Sequence, residues 1–185
     1  MQTTQYLTEI LKELNRTADL LTNEEAEKMV DHVLESKKIF VAGAGRSGFM
    51  AKSFAMRMMH MGLDTYVVGE SVTPNLEKDD ILIIGSGSGE TKSLISMAEK
   101  AKSLGATVAL VTIFPESTLG KVADISIKLP AKSKTETDSE FNTIQPMGSL
   151  FEQTLLLFFD AIVLRAMEKK GLNSETMFGR HANLE

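Results

Sequence analysis

The chain contains no cysteine. Disulfides and thiolate metal sites are therefore excluded, which fits a cytoplasmic enzyme. It also lacks an excess of positive charge: 20 Lys and Arg stand against 25 Asp and Glu, a net charge of −5. That balance argues against nucleic acid as a partner, so any anion recognition has to be local. No hydrophobic run is long enough to span a bilayer. The most apolar stretch, Leu155 to Leu164, is too short and is interrupted by Asp160. It reads instead as a core or interface helix, apolar on nearly all sides. The opening residues, Met1 to Tyr6, show neither a basic nor an apolar signal region, so no signal peptide and no membrane partner are expected. The histidines His32, His60 and His181 form no metal constellation such as HExxH, and no metal is expected.

What the chain does contain is a strand–glycine loop–helix turn, made twice. The run Ile81 to Ile84 ends in Gly85-Ser86-Gly87-Ser88-Gly89-Glu90-Thr91, and Leu94, Ile95, Ala98 and Ala101 then mark one face of a helix. Backbone N–H groups at a helix N-terminus, with the positive end of its dipole, favour an anion. Ser86, Ser88 and Thr91 add hydroxyl donors, and the glycines permit close approach. The loop has no P-loop lysine and is not a dinucleotide fingerprint. It suits a small phosphomonoester better than a nucleotide. In the second instance, the apolar run Lys38 to Ala42 feeds Gly43-Ala44-Gly45-Arg46-Ser47-Gly48 and a helical stretch reaching His60. In an open parallel sheet, ligands sit outside the carboxyl ends of the strands, where such loops converge. Arg46 brings a permanent, planar cation to that rim.

At 185 residues the chain is expected to be one domain, 1–185, with a core over 36–171, N-terminal helices and a C-terminal tail. The first helix carries Leu7, Ile10, Leu11, Leu14 and Ala18. The second opens on a capping box, Thr22 to Glu25. Then follow strand 38–42, helix 47–61, strands 64–68 and 80–84, helix 90–104, strand 107–112, a turn or short helix at 116–121 and strand 124–128. This alternation predicts an α/β three-layer sandwich with a five-stranded parallel sheet in flavodoxin-like order. The polar stretch 130–142 reads as a surface loop. Pro146 suits the first turn of a long helix, 147–169, which Gly171 ends. Met50, Met56, Met58, Met59 and Met61 are expected in a core or an interface.

Glu152 is the candidate general base, a carboxylate near the start of the long helix between Leu150, Phe151, Leu155 and Leu156. His60 lies in the last turn of its helix, where a cation suits the dipole, and reads as structural. His32 reads as solvated. His181 follows Gly179 and Arg180 in the tail.

Together, the two glycine motifs resemble those of the sugar isomerase (SIS) family of phosphosugar-binding domains over about 36–171. The segment Ile144-Gln145-Pro146-Met147-Gly148-Ser149-Leu150-Phe151-Glu152-Gln153 and the ending His181 to Glu185 resemble the members that isomerise a phosphorylated hexulose. The resemblance implies interconversion of arabino-3-hexulose 6-phosphate and fructose 6-phosphate, in the ribulose monophosphate route of formaldehyde fixation. It implies that Ser47, Ser86, Ser88 and Thr91 hold the phosphate, with backbone groups of Gly87, Gly89 and Glu90. Glu152 would be the base, and His181, from a neighbouring subunit, would assist proton movement. A homotetramer and no cofactor are also implied. Carbonyl transfer through an enediol makes Arg46 the candidate to stabilise the enediolate oxygen. An isomerase of another sugar phosphate, and a non-catalytic phosphosugar sensor, are the alternatives.

Overall fold

A computed structural model describes residues 1–132 and 141–184. Helices α1 (Thr3–Ala18) and α2 (Asn23–Glu35) precede β1 (Ile39–Gly43), α3 (Gly45–His60), β2 (Thr65–Val67), β3 (Ile81–Gly85), α4 (Lys92–Ser103), β4 (Thr107–Thr112), α5 (Thr118–Val122) and β5 (Ile125–Lys128). The long helix α6 (Ser149–Lys170) and the short α7 (Ser174–Phe178) close the chain. The five strands form one sheet, ordered β2-β1-β3-β4-β5, and every pairing is parallel. This is the expected flavodoxin-like order.

The central strands β1, β3 and β4 carry continuous apolar runs because both faces are covered, whereas the edge strand β5 alternates, with Ser126 and Lys128 less buried. Alternate side chains feed opposite layers. Ile39, Val41, Ile81, Ile83, Ala109 and Val111 pack in one cluster with α2, α3 and α6. Phe40, Ala42, Leu82, Ile84, Val108 and Leu110 pack in the other with α4. Among the described residues no helix is long and apolar enough to cross a membrane.

Several local expectations are corrected. Thr22 is the N-cap of α2, but its side chain makes no cap hydrogen bond. Glu25 accepts instead from Lys28 Nζ at 2.8 Å, a stronger charge-assisted partner than a backbone amide. The long helix starts at Ser149 rather than at 147, because Met147 takes a left-handed φ of 59° that no helix accommodates. Its end is as expected: Gly171 is left-handed at φ 63°. The helix after the second glycine loop begins at Lys92 rather than at 90, since Gly89 has φ 65° and Thr91 is extended. In the stretch read as a surface loop, Pro130 and Ala131 are buried. Its central part, 133–140, lies outside the described residues. Of the methionines, Met58 and Met61 are buried, whereas Met56 and Met59 are exposed.

Candidate active site

The site forms where β1 and β3 lie side by side and the chain leaves them toward opposite faces of the sheet. Gly43 pairs with Gly85 at their carboxyl ends, so the two glycine loops begin at the same height. The first loop is tight because Gly48 packs on Gly43: a Cβ on Gly48 would come within 2.6 Å of the Gly43 carbonyl oxygen. In the second loop, a Cβ on Gly89 would lie 1.9 Å from Ser117 Oγ, and its φ is left-handed. Glycine is required at both positions.

The second loop is tied down along its length. Ser86 N–H donates to the Val111 carbonyl at 3.0 Å, and the Gly87 carbonyl accepts from Ile113 N–H at 3.2 Å. Gly89 N–H donates to Ser86 Oγ and Glu90 N–H to Ser88 Oγ, each at 3.2 Å. The Glu90 carboxylate is turned toward α5, where Thr118 N–H donates to it at 2.8 Å. That backbone bond, followed by the Thr118 hydroxyl, holds Glu90 below the usual carboxylate range. Glu90, named from the sequence, therefore does not line the cavity above the loops. Thr91 is the N-cap of α4, and its side chain makes no cap hydrogen bond.

A cavity of about 330 Å³ opens above these loops, a volume suited to a small ligand. Ala44, Ser47, Ser86, Gly87, Ser88, Thr91, Ile113, Lys132, Gly148, Phe151 and Glu152 line it. Ser47, Ser86, Gly87, Ser88, Thr91 and Glu152, all named from the sequence, are thus brought together. Gly89 shapes the loop from behind. Glu152 comes from the first turn of α6 and is only 4% exposed. Arg46, from the first turn of α3, stands with Nε 3.2 Å from Glu152 Oε2 and donates from Nη1 to Ser149 Oγ at 3.1 Å. A buried carboxylate beside a guanidinium and an anion-binding loop can take up a proton while the neighbouring cation neutralises a developing oxyanion.

His181, named from the sequence, is not brought to this cavity. It stacks on His60 with ring centroids 5.5 Å apart, and Arg180 covers Gly62. His60 ends α3, whereas Arg46 begins it, about 21 Å away along the helix at 1.5 Å per residue. His60 is buried at the end of α3, where the cation expected to suit the helix dipole is disfavoured. Burial, then Arg57, then His181 hold it below the usual histidine range, and its Nδ1 lies 3.2 Å from Arg57 Nη1.

Lys132 was missed, because it sits in the polar stretch read as a surface loop. Its only signal was position: it follows β5 at the same end of the sheet as the glycine loops. Ser149 lay within the quoted segment 144–153 but was given no role, because its partner Arg46 is far away in the chain. A second, larger cavity of about 500 Å³, between α4 and the segment preceding β3, is lined mostly by apolar side chains such as Phe40, Leu82 and Met97. Its lining holds no carboxylate and no residue of either glycine loop, so the smaller cavity is the candidate site despite its size.

The SIS domain family model matches residues 32–157. A 3-hexulose-6-phosphate isomerase of Bacillus subtilis is 62% identical over 185 residues, covering 100% of both chains. A 3-hexulose-6-phosphate isomerase of Mycobacterium gastri is 37% identical over 98% of this chain and 91% of its own. Among solved structures, a Methanococcus jannaschii protein, for which a 3-hexulose-6-phosphate isomerase function was inferred, superposes with a TM-score of 0.85. It is 34% identical over 98% of this chain and 99% of its own.

Proposed function

The chain belongs to the SIS domain family, and from its full-length similarity to 3-hexulose-6-phosphate isomerases we propose that it is the isomerase that interconverts arabino-3-hexulose 6-phosphate and fructose 6-phosphate. It serves the ribulose monophosphate route of formaldehyde fixation. The observation that carries the chemistry is the buried Glu152 beside Arg46, in the cavity that the hydroxyl-rich loop closes.

The 6-phosphate lies against Ser47, Ser86, Ser88 and Thr91, with backbone N–H groups of the loop and of the first turn of α4. Held there, the sugar presents C2 to Glu152. Glu152 takes the C2 proton, and the electron pair of that bond forms the C2–C3 double bond of an enediolate. Arg46 neutralises the charge that develops on the enediolate oxygen. Glu152 returns the proton to C3, and the hydroxyl proton passes from O2 to O3, leaving the carbonyl at C2. One carboxylate serves both transfers because the phosphate holds the substrate still. Direct assay tests this: arabino-3-hexulose 6-phosphate should be converted to fructose 6-phosphate, detected by a coupled enzyme. Turnover of a different phosphosugar only would replace the substrate assignment.

Lys132 supplies the cation that the phosphate loop itself lacks. Lys132→Met keeps the length of the stem and removes the charge. A hydrogen bond to a charged group is worth about 1.5–3 kcal/mol, so KM should rise by roughly 10- to 100-fold with kcat little changed. An unaltered KM would remove Lys132 from the ligand site.

The protein is cytoplasmic and a homotetramer in this reading. Support comes from apolar side chains left exposed on three helices: Leu7 and Leu11 on α1, Phe49 and Met56 on α3, Leu157 and Leu164 on α6. Since His181 lies at the far end of α3 in its own subunit, it can reach a cavity only in a neighbour. Deleting residues 178–185 should then lower kcat by roughly 10²-fold, the scale of a lost proton-transfer group, in a protein that still folds. A fully active truncation would show the tail to be dispensable.

A further inference from the structure

The approach to α6 is held by α1, a helix the mechanism does not use. Glu13 is half-buried on α1, and its carboxylate accepts three hydrogen bonds from consecutive residues. Thr143 Oγ1 donates to Oε2 at 2.6 Å, Gln145 Nε2 donates to Oε2 at 2.9 Å, and Ile144 N–H donates to Oε1 at 2.8 Å. The segment also bonds to itself, Gln145 N–H donating to Thr143 Oγ1 at 3.0 Å. One turn on, Arg16 Nη2 donates to the Asn142 carbonyl at 2.8 Å. Residues 142–145 are therefore pinned at four successive points.

The pinned segment runs with no slack into the catalytic turn. After Gln145 come Pro146, Met147 at a left-handed φ of 59°, and Gly148, the N-cap of α6. A methionine keeps that conformation only where its surroundings over-determine it. Ser149 N–H then donates to the Pro146 carbonyl at 3.2 Å, and Glu152 N–H to the Gly148 carbonyl at 3.0 Å. Ser149 accepts from Arg46, and Glu152 lies beside the same guanidinium. A rotation of the first turn of α6 would move both from Arg46 at once.

We propose that Glu13 is a positioning residue for the isomerisation: by clamping residues 143–145 it sets the rotation of the first turn of α6, and with it where Glu152 meets the sugar. This rests on the isomerase reading above. Burial would raise the proton affinity of Glu13. The bonds from Thr143, Gln145 and Ile144, with the charge of Arg16, outweigh it and hold the carboxyl below the usual range. It stays an anion with acceptors only, which is what three donors require.

Glu13→Gln tests this, since the amide turns one of the two accepting oxygens into a donor. With misplacement of about 1 Å costing on the order of 10²-fold, kcat should fall by about 10- to 100-fold. The Kd for fructose 6-phosphate by calorimetry should stay within about twofold, because the phosphate loop belongs to β3 and α4 and is not touched. Circular dichroism should show an unchanged fold. A wild-type kcat in the variant would overturn the proposal. So would a parallel loss of kcat and affinity, which marks general loosening rather than displacement of one helix turn. If Glu13→Gln fails to fold, Thr143→Val leaves the carboxylate and removes two hydrogen bonds, the one Thr143 Oγ1 donates to Glu13 and the one it accepts from Gln145 N–H. The same split should then appear with a fall in kcat of about 5- to 100-fold, the worth of two hydrogen bonds, and an unchanged kcat would overturn the proposal. Wild-type turnover separates the two readings. If the wild-type protein does not turn over the hexulose phosphate, the isomerase reading fails and this proposal with it. If it does and Glu13→Gln matches it, only the positioning role fails.

Discussion

Glu152→Gln is expected to cut turnover of arabino-3-hexulose 6-phosphate by roughly 10²–10⁴-fold, the usual worth of a general base. The substitution keeps the size of the side chain and leaves an amide oxygen that can still face Arg46, 3.2 Å away in the wild-type protein. It removes the group that can hold the C2 proton between its departure and its return to C3. Binding should change little, because in the proposed site the phosphate meets Ser47, Lys132 and the loop between β3 and α4, and not Glu152. The variant should also stop exchanging the substrate C2 hydrogen with deuterated solvent, and this isotope readout is independent of the coupled assay. Near wild-type exchange and turnover would show that Glu152 is not the base, and a histidine-centred mechanism would take its place.

The other large effect is on the ligand rather than on the protein. Fructose should bind at least about 10²-fold more weakly than fructose 6-phosphate, because each hydrogen bond to a charged group is worth about 1.5–3 kcal/mol and several converge on the phosphate. The loop is ready to make them. It is fixed to β4 through Gly87 and Ser86, and it leads directly into the N-terminus of α4. Ser88→Ala or Thr91→Ala should raise KM by about tenfold while leaving kcat nearly unchanged, the reverse of the Glu152→Gln pattern. Calorimetry checks the comparison of sugars, and equal affinity for the two would reject the phosphate assignment.

Much of the fold was legible because a parallel sheet buried on both faces leaves a local mark. Ile81 to Ile84 and Val108 to Val111 are continuous apolar runs, and only strands covered on both sides tolerate them. Each run ends in glycine or threonine at the turn, so the loops were legible as well. Ser86, Ser88 and Thr91 lie within six residues of each other in sequence, so their meeting at one cavity needed no long-range contact to foresee. Helix ends were read less well. Whether Thr22 caps α2, or Pro146 sits inside α6, depends on competition: Lys28 takes the Glu25 carboxylate, and Met147 adopts a left-handed φ before the helix can start.

The composition and local pattern by themselves determined the α/β class, the parallel sheet, the two glycine loops and the hydroxyls that line the cavity, because each depends on neighbours within a few residues. The tertiary structure decided what stands opposite those loops. Lys132 reaches the cavity from the end of β5, Arg46 meets Ser149 across more than 100 positions of chain, and Glu13 of α1 grips Thr143, Ile144 and Gln145 from about as far. It also put His181 against His60 rather than Glu152. No periodicity encodes such pairings, since a charge in a polar stretch looks the same whether it faces solvent or a cavity. Only the packing of α6 and α1 over the sheet distinguishes the two.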